Sequence, residues 1–436
     1  MKQWTPGVAR WVGRLGLGWG ALAAATATTA ALAGTLNIQL GVSNPAERTA
    51  FTALAQDFQA ANPDVTVKLV MMDLPAYRHQ LPGLLDGDSA PDVFNWFGGE
   101  QMRTMAQAGQ LDDLSEVWKA NTWNNTFSTT INASTVGGRQ YALPYQYYPW
   151  GLFFRHDVLD RVNMKDAPRD LGALITACSK LNKAGFTPIA LGAKDGWPLA
   201  AWFDYIDLRT NGAQFHQQLT DGKISYQDAN VRRAFGWWKQ LIDAKCFAPD
   251  AVNTDAAGAR ALWYQGKAGM LLTGTVVSAT FPESLKPTLD YARFPVIDPA
   301  QAFAEAAPTD LFFVSARAKD KADARKFLKF AASSAANAKL TKALGSFPTN
   351  KFAPVPGTVL DLASAKVLSD AKGGLVQAYD RDVPAEMATQ AIKAMQDFLQ
   401  HPDQLNAILS RLDAARAASY HAEADVQVTT AKAGKH

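Results

Sequence analysis

Between residues 34 and 73 two alternating apolar stretches flank an amphipathic one, and that order constrains the fold more than any other feature. TLNIQLGV sets Leu36, Ile38, Leu40 and Val42 at every second position, the period of a half-buried strand. Ser43-Asn44-Pro45 breaks it, and in ERTAFTALAQDFQAANP the residues Phe51, Leu54, Ala55 and Phe58 fall on one helical face. Asn62-Pro63 stops the helix, and DVTVKLVMM alternates again through Val65, Val67 and Leu69. Strand, helix, strand within this span implies a parallel sheet with helices over its faces. Ligands collect at the carboxyl ends of such strands, here around Ser43, Asn44 and Glu47.

The alternation recurs downstream. PDVFNWFGG runs from strand into loop, and YRHQLPGLL is helical with a proline interruption. A second set begins after Tyr148: GLFFRHDVL and TPIALGAK are strand-like, while LGALITACSKLNKAG, AAWFDYIDLRTNG and VRRAFGWWKQLIDAKC are helical. A chain of 436 residues can bury two cores. No Pro/Ser-rich linker separates the two sets, which predicts lobes that the chain crosses between repeatedly.

The amino terminus carries Lys2, Arg10 and Arg14, then an apolar, Ala-rich run ending in Ala31-Leu32-Ala33. That is the layout of a secretory signal over residues 1–33, cleaved near Ala33, and it predicts an exported protein. A net charge of +3 and the absence of Lys/Arg blocks exclude nucleic acid as a partner. Only Cys178 and Cys246 are present, both in helix-like apolar surroundings. Export permits a bridge, but buried thiols are the expectation.

Chemistry-bearing motifs are sparse. The six histidines show no metal-ligand spacing, so neither a metal nor another cofactor is expected. Asp204 and Asp207, three apart on a helix, would read as solvated helix-face acids or hydroxyl acceptors; a glycosidase needs two carboxylates across a bond. What stands out is aromatic rings beside hydrogen-bonding groups at strand and loop ends. NWFGGE joins Asn95, Trp96 and Phe97 to Glu100, KDGWP joins Lys194 and Asp195 to Trp197, and YQYYPWG (145–151) packs four rings into seven residues. A pyranose has an apolar face and a rim of hydroxyls, so it needs both kinds of group. By alternation Tyr145 and Tyr147 share one strand face and Tyr148 takes the other.

These landmarks, in this order, resemble the carbohydrate-binding proteins of bacterial ABC importers, of the maltose/trehalose-binding type. The opening NIQLGVSNPAERTAFTALAQDFQAANPDVTV, PDVFNWFGGE, GRQYALPYQYYPWGLFFRHDVLD, TPIALGAKDGWP, LWYQGKAGMLLTGT and GSFPTNK carry the likeness across the mature chain. The resemblance implies the α/β periplasmic binding protein fold, two lobes joined by hinge strands with a ligand cleft between them. It divides the chain into a first lobe (34–147 and 290–345) and a second (148–289 and 346–436). It also implies a monomer without enzymatic activity that captures a mono- or disaccharide, an α-glucoside among the candidates, and delivers it from the periplasm to a permease. Carried over by position, the ligand residues are Asn44, Glu47, Trp96, Phe97, Gly98, Tyr147, Tyr148, Asp195, Trp197, Gly274, Thr275, Asp310 and Arg381.

One departure stands out. After the GKAGM strand the family often has Gly-Ser/Pro-Trp, with the tryptophan stacked on sugar; this chain has Gly274-Thr275-Val276. Stacking must come from elsewhere, with Trp197 or Tyr148 as candidates. A polyol or glycerol-derived solute remains an alternative, favoured by a cluster of Arg or Lys in the cleft. An exported glycosidase is the third.

Overall fold

The computed structural model describes residues 34–355 and 357–433. The signal-peptide expectation for residues 1–33 lies outside the described residues. In chain order the first strands are β1 (Gly34–Val42), β2 (Val65–Asp73), β3 (Val93–Phe97), β4 (Thr135–Val136), β5 (Arg139–Gln140), β6 (Ala142–Tyr147) and β7 (Trp150–Arg155). There follow β8 (Thr187–Ala190), β9 (Ala268–Gly274), β10 (Leu289–Ala292), β11 (Ala304–Ala306), β12 (Thr309–Val314) and β13 (Gly374–Val376).

Two sheets organise two lobes. The first has five strands in the order β2-β1-β3-β12-β6, with β1 parallel to both neighbours and β12 antiparallel to β3 and β6. The second has four strands in the order β10-β7-β9-β8. Helices cover both faces of the first sheet, whose inner strands β3 and β12 are apolar on both sides, while β1 and β2 alternate. Phe312 and Phe313, adjacent on β12, show this: Phe312 stacks on Tyr145 at 4.2 Å, and Phe313 on Phe94 at 5.1 Å in a separate cluster. The second sheet is likewise flanked by two clusters, one containing Trp202, Phe235, Trp238 and Phe398, the other Phe153, Trp263 and Phe281.

The chain passes between the lobes at β6→β7, at β11→β12 and after the helix Ser334–Leu344. These crossings are tied together. Tyr148 N–H donates to Pro308 O at 3.2 Å, and Tyr147 and Phe347 exchange two backbone bonds of 3.3 and 2.9 Å. The lobe boundary expected at residue 290 falls inside β10, which pairs with β7; the first sheet is re-entered only at β12. No alternation marks that late return, because β11 is only three residues long.

Two other expectations are corrected. Pro82 does not interrupt its helix, which runs through it over Leu74–Asp86. Cys178 and Cys246 are not free thiols. The helix Leu171–Lys183 and the turn after Ala229–Asp243 bring their Cα atoms to 5.1 Å, within bridging range, and the two form a buried disulfide.

Candidate functional site

The carboxyl ends of β1 and β3 face the second lobe across a cavity of about 540 Å³, within the range of small-molecule pockets. Its first wall begins where β1 ends. Asn44 caps the helix Pro45–Ala61 by accepting the Glu47 N–H at 3.0 Å. Glu47 closes the cap, accepting Ser43 N–H at 2.6 Å and the Asn44 amide at 3.1 Å. Burial pushes the Glu47 carboxyl up to about 7, against the pull of Ser43 N–H. Asn44 and Glu47 thus present a preformed polar edge to the cavity.

The floor is a network built by both lobes. Asp310, on β12, accepts Gln146 Nε2 at 2.7 Å and Arg381 Nη1 at 3.0 Å. The same Arg381 nitrogen donates to the Tyr148 hydroxyl at 2.8 Å, and its guanidinium lies 3.7 Å from the Phe97 ring centre. Burial raises the Asp310 pKa, opposed first by Arg381. Burial also opposes the Arg381 charge, but Tyr148 and Asp310 outweigh it and hold the guanidinium ionised.

The second lobe supplies flat surface. Trp150 and Trp197 meet edge to face, 5.6 Å apart at 81°, at the cavity wall. Gly274 makes this possible: a Cβ there would lie 2.9 Å from Trp150 Nε1 and 3.0 Å from Tyr148. Val276 lines the cavity where the sequence lacks a ring after β9, and the indole beside it comes from Trp150, paired with Gly274 on the neighbouring strand β7. Asp195 accepts the Ala256 N–H at 2.8 Å, capping its stretch beside the cavity.

Of the residues carried over from sequence, Asn44, Glu47, Trp96, Phe97, Tyr148, Asp195, Trp197, Gly274, Asp310 and Arg381 line the cleft. Gly98, Tyr147 and Thr275 do not. Gly98 is covered by Gln377, whose amide donates to its carbonyl at 3.0 Å. Tyr147 turns to Phe347 at the crossing, 5.8 Å between ring centres. Thr275 is buried behind the end of β9, its N–H on Pro149 O at 3.1 Å. Tyr145 and Tyr147 do not share an environment either. Pairing of β6 with β12 shifts between Gln146 and Pro144, and this bulge leaves Tyr145 in the first-lobe core with an edge on the cleft, which Tyr147 does not reach.

Sequence reasoning missed Gln146, Trp150, Arg78 and Arg260 in the lining. Trp150 and Gln146 stood inside the quoted aromatic stretch. The two arginines carried no signal, since an arginine on an amphipathic helix looks solvated.

Asp204 and Asp207 are not solvated. Both are buried around His216, whose Nδ1 lies 2.8 Å from Asp207 and Nε2 3.3 Å from Asp204. Only Asp204 reaches the cleft, so the pair is not poised across a bond. Burial disfavours the charged ring, yet the two carboxylates push its pKa up to about 10. Because the folded value is raised, this stabilisation is complete below the unfolded histidine range and is lost as pH rises toward 10. The unfolding midpoint should therefore fall between pH 7 and 10, and His216→Gln should flatten that slope. An equal slope in both proteins would contradict the assignment.

Comparison with known proteins agrees with this architecture. A bacterial solute receptor described as having an exclusive preference for β-D-galactopyranose superposes with a TM-score of 0.82 at 24% identity, covering 89% of this chain and all of that one. The GacH receptor of Streptomyces glaucescens, solved with acarbose, gives 0.74 at 20% identity, covering 89% of this chain and 99% of its own. An ABC transporter extracellular-binding protein of Pyrococcus horikoshii is 24% identical over 337 residues, 76% of this chain and 75% of the relative. The family described as bacterial extracellular solute-binding protein matches residues 43–338. The chain belongs to the bacterial extracellular solute-binding proteins.

Proposed function

We propose that this protein captures a mono- or disaccharide in the interlobe cleft by hinge closure, in the periplasm, and delivers it to an ABC import permease. One observation carries the reading: a single cavity is lined by the near-perpendicular indoles of Trp150 and Trp197 together with the polar groups of Asn44, Asp310 and Arg381. Rings take the apolar face of a pyranose and the polar groups take its hydroxyls. That similar folds are described with galactopyranose and acarbose supports it. The role is binding rather than turnover, with lobe movement about the three crossings.

A specific feature favours one alternative. Arg78 and Arg260, one from each lobe, line the cleft with no hydrogen bond or ion pair among the described residues. A glycerol phosphate would satisfy such guanidinium groups.

Thermal unfolding of the mature protein against glucose, galactose, maltose, trehalose, glycerol and glycerol 3-phosphate separates the two readings. A ligand at a hundred times its Kd stabilises the native state by about 2.7 kcal/mol. Stabilisation by a saccharide is the expected result; stabilisation by glycerol 3-phosphate alone would replace it with the alternative. Trp197→Ala should weaken saccharide binding roughly tenfold or more, as loss of a stacking ring does, with little change in stability, since Trp197 is only half-buried. A large stability loss at unchanged affinity would return that ring to the core.

A further inference from the structure

Contacts between the lobes converge on residues 377–382, around the single turn Tyr379–Asp382 that carries Arg381. Arg103, on the first-lobe helix Glu100–Gln107, donates through Nη2 to Asp382 Oδ1 at 2.9 Å and through Nε to Glu100 at 2.5 Å. The other Asp382 oxygen accepts Gln217 Nε2, from the second lobe, at 3.2 Å. Beside this pair Gln377 bonds Gly98 O, and the Arg381 carbonyl presses on Gly99, where a Cβ would come within 2.5 Å of it at φ +110°. On its far side the turn is held to the second lobe by Tyr379 N–H donating to Asp204 at 3.2 Å. Neither Arg103 nor Asp382 lines the cleft.

We infer that Arg103 is a positioning residue: through Asp382 it holds the turn bearing Arg381 against the first lobe and biases the protein toward closure before any ligand is present. The inference rests on the hinge closure in the proposed function. The Arg103–Asp382 pair joins groups fixed to different lobes, so it stabilises the state in which the lobes are together over the one in which they part. Its side chains are 33% and 7% exposed, leaving the arginine end open to screening by salt. The Arg381–Asp310 pair on the floor is more enclosed, at 17% and 8%, and should respond less.

Small-angle scattering from the ligand-free mature protein at 20 mM and 1 M sodium chloride tests this without any sugar, so its failure would leave the saccharide reading standing. Wild type should be more compact at low salt and expand at high salt. Arg103→Ala and Asp382→Asn should be expanded at both, reflecting a fall of about two- to five-fold in the closed-to-open ratio. Arg103→Lys, which keeps the charge but not the fork, should lie between. If Arg103→Ala scatters like wild type at low salt, or only its melting temperature drops, the pair is structural and the inference fails.

Discussion

Arg209→Leu is expected to destabilise the protein by about 3–5 kcal/mol, the cost of removing one partner from a buried ion pair. Arg209 lies on the helix Trp197–Asn211 and meets Glu305 on β11 at 2.7 Å, with side chains 3% and 1% exposed. Its other nitrogens donate to the backbone carbonyls of Ala304 and Phe294. The leucine variant leaves Glu305 charged, buried and without its cation beside the crossing into β12. Burial already raises the Glu305 pKa, with Arg209 the main opposing influence, so the variant should also protonate this carboxyl nearer neutrality. Urea unfolding measures the effect. The double variant Arg209→Leu/Glu305→Leu should recover much of the loss, because it removes both charges. A single-variant cost below about 1 kcal/mol would mean the pair is solvated in solution.

Arg381→Met should have the larger effect on binding. The residue does two things at once: it neutralises Asp310 on the cleft floor, and it keeps the Tyr148 hydroxyl and the Phe97 ring in place. Losing a charged hydrogen bond of about 1.5–3 kcal/mol corresponds to roughly 10- to 100-fold in affinity. The buried Asp310 should then protonate at higher pH than in wild type, since the group that most opposes its raised pKa is gone. Calorimetric titration across pH 5–8, using the saccharide that stabilises wild type most, separates the two contributions. Unchanged affinity would place Arg381 outside the recognition network.

The parts of this architecture that sequence reveals are those with local periodicity. β1, the helix Pro45–Ala61 and β2 are legible because their apolar faces repeat at two and at three to four residues. The cleft edge at Asn44 and Glu47 follows directly, since it is the cap between them. Contacts made across sequence distance leave no such trace. Arg103 and Asp382 are 279 positions apart, and nothing in either neighbourhood identifies the other. The disulfide required knowing that the middle of one helix meets the turn after another. In YQYYPWG simple alternation fails, because the bulge opposite Asp310 breaks its phase: Tyr145 packs in the first-lobe core and Tyr148 in the second-lobe core, and both reach the cleft, whereas Tyr147 does not. The missing ring was read at Val276; what the sequence could not show is that Gly274, two residues earlier, leaves room for Trp150 at the cavity wall.

A crystal structure of the mature protein with its most stabilising saccharide tests the central claim most directly. Sugar density is expected between the lobes, one pyranose face against Trp150 or Trp197 and hydroxyls within hydrogen-bond distance of Asp310 or Arg381. Density outside that cleft, or an occupied cleft with no ring contact to either tryptophan, would contradict it.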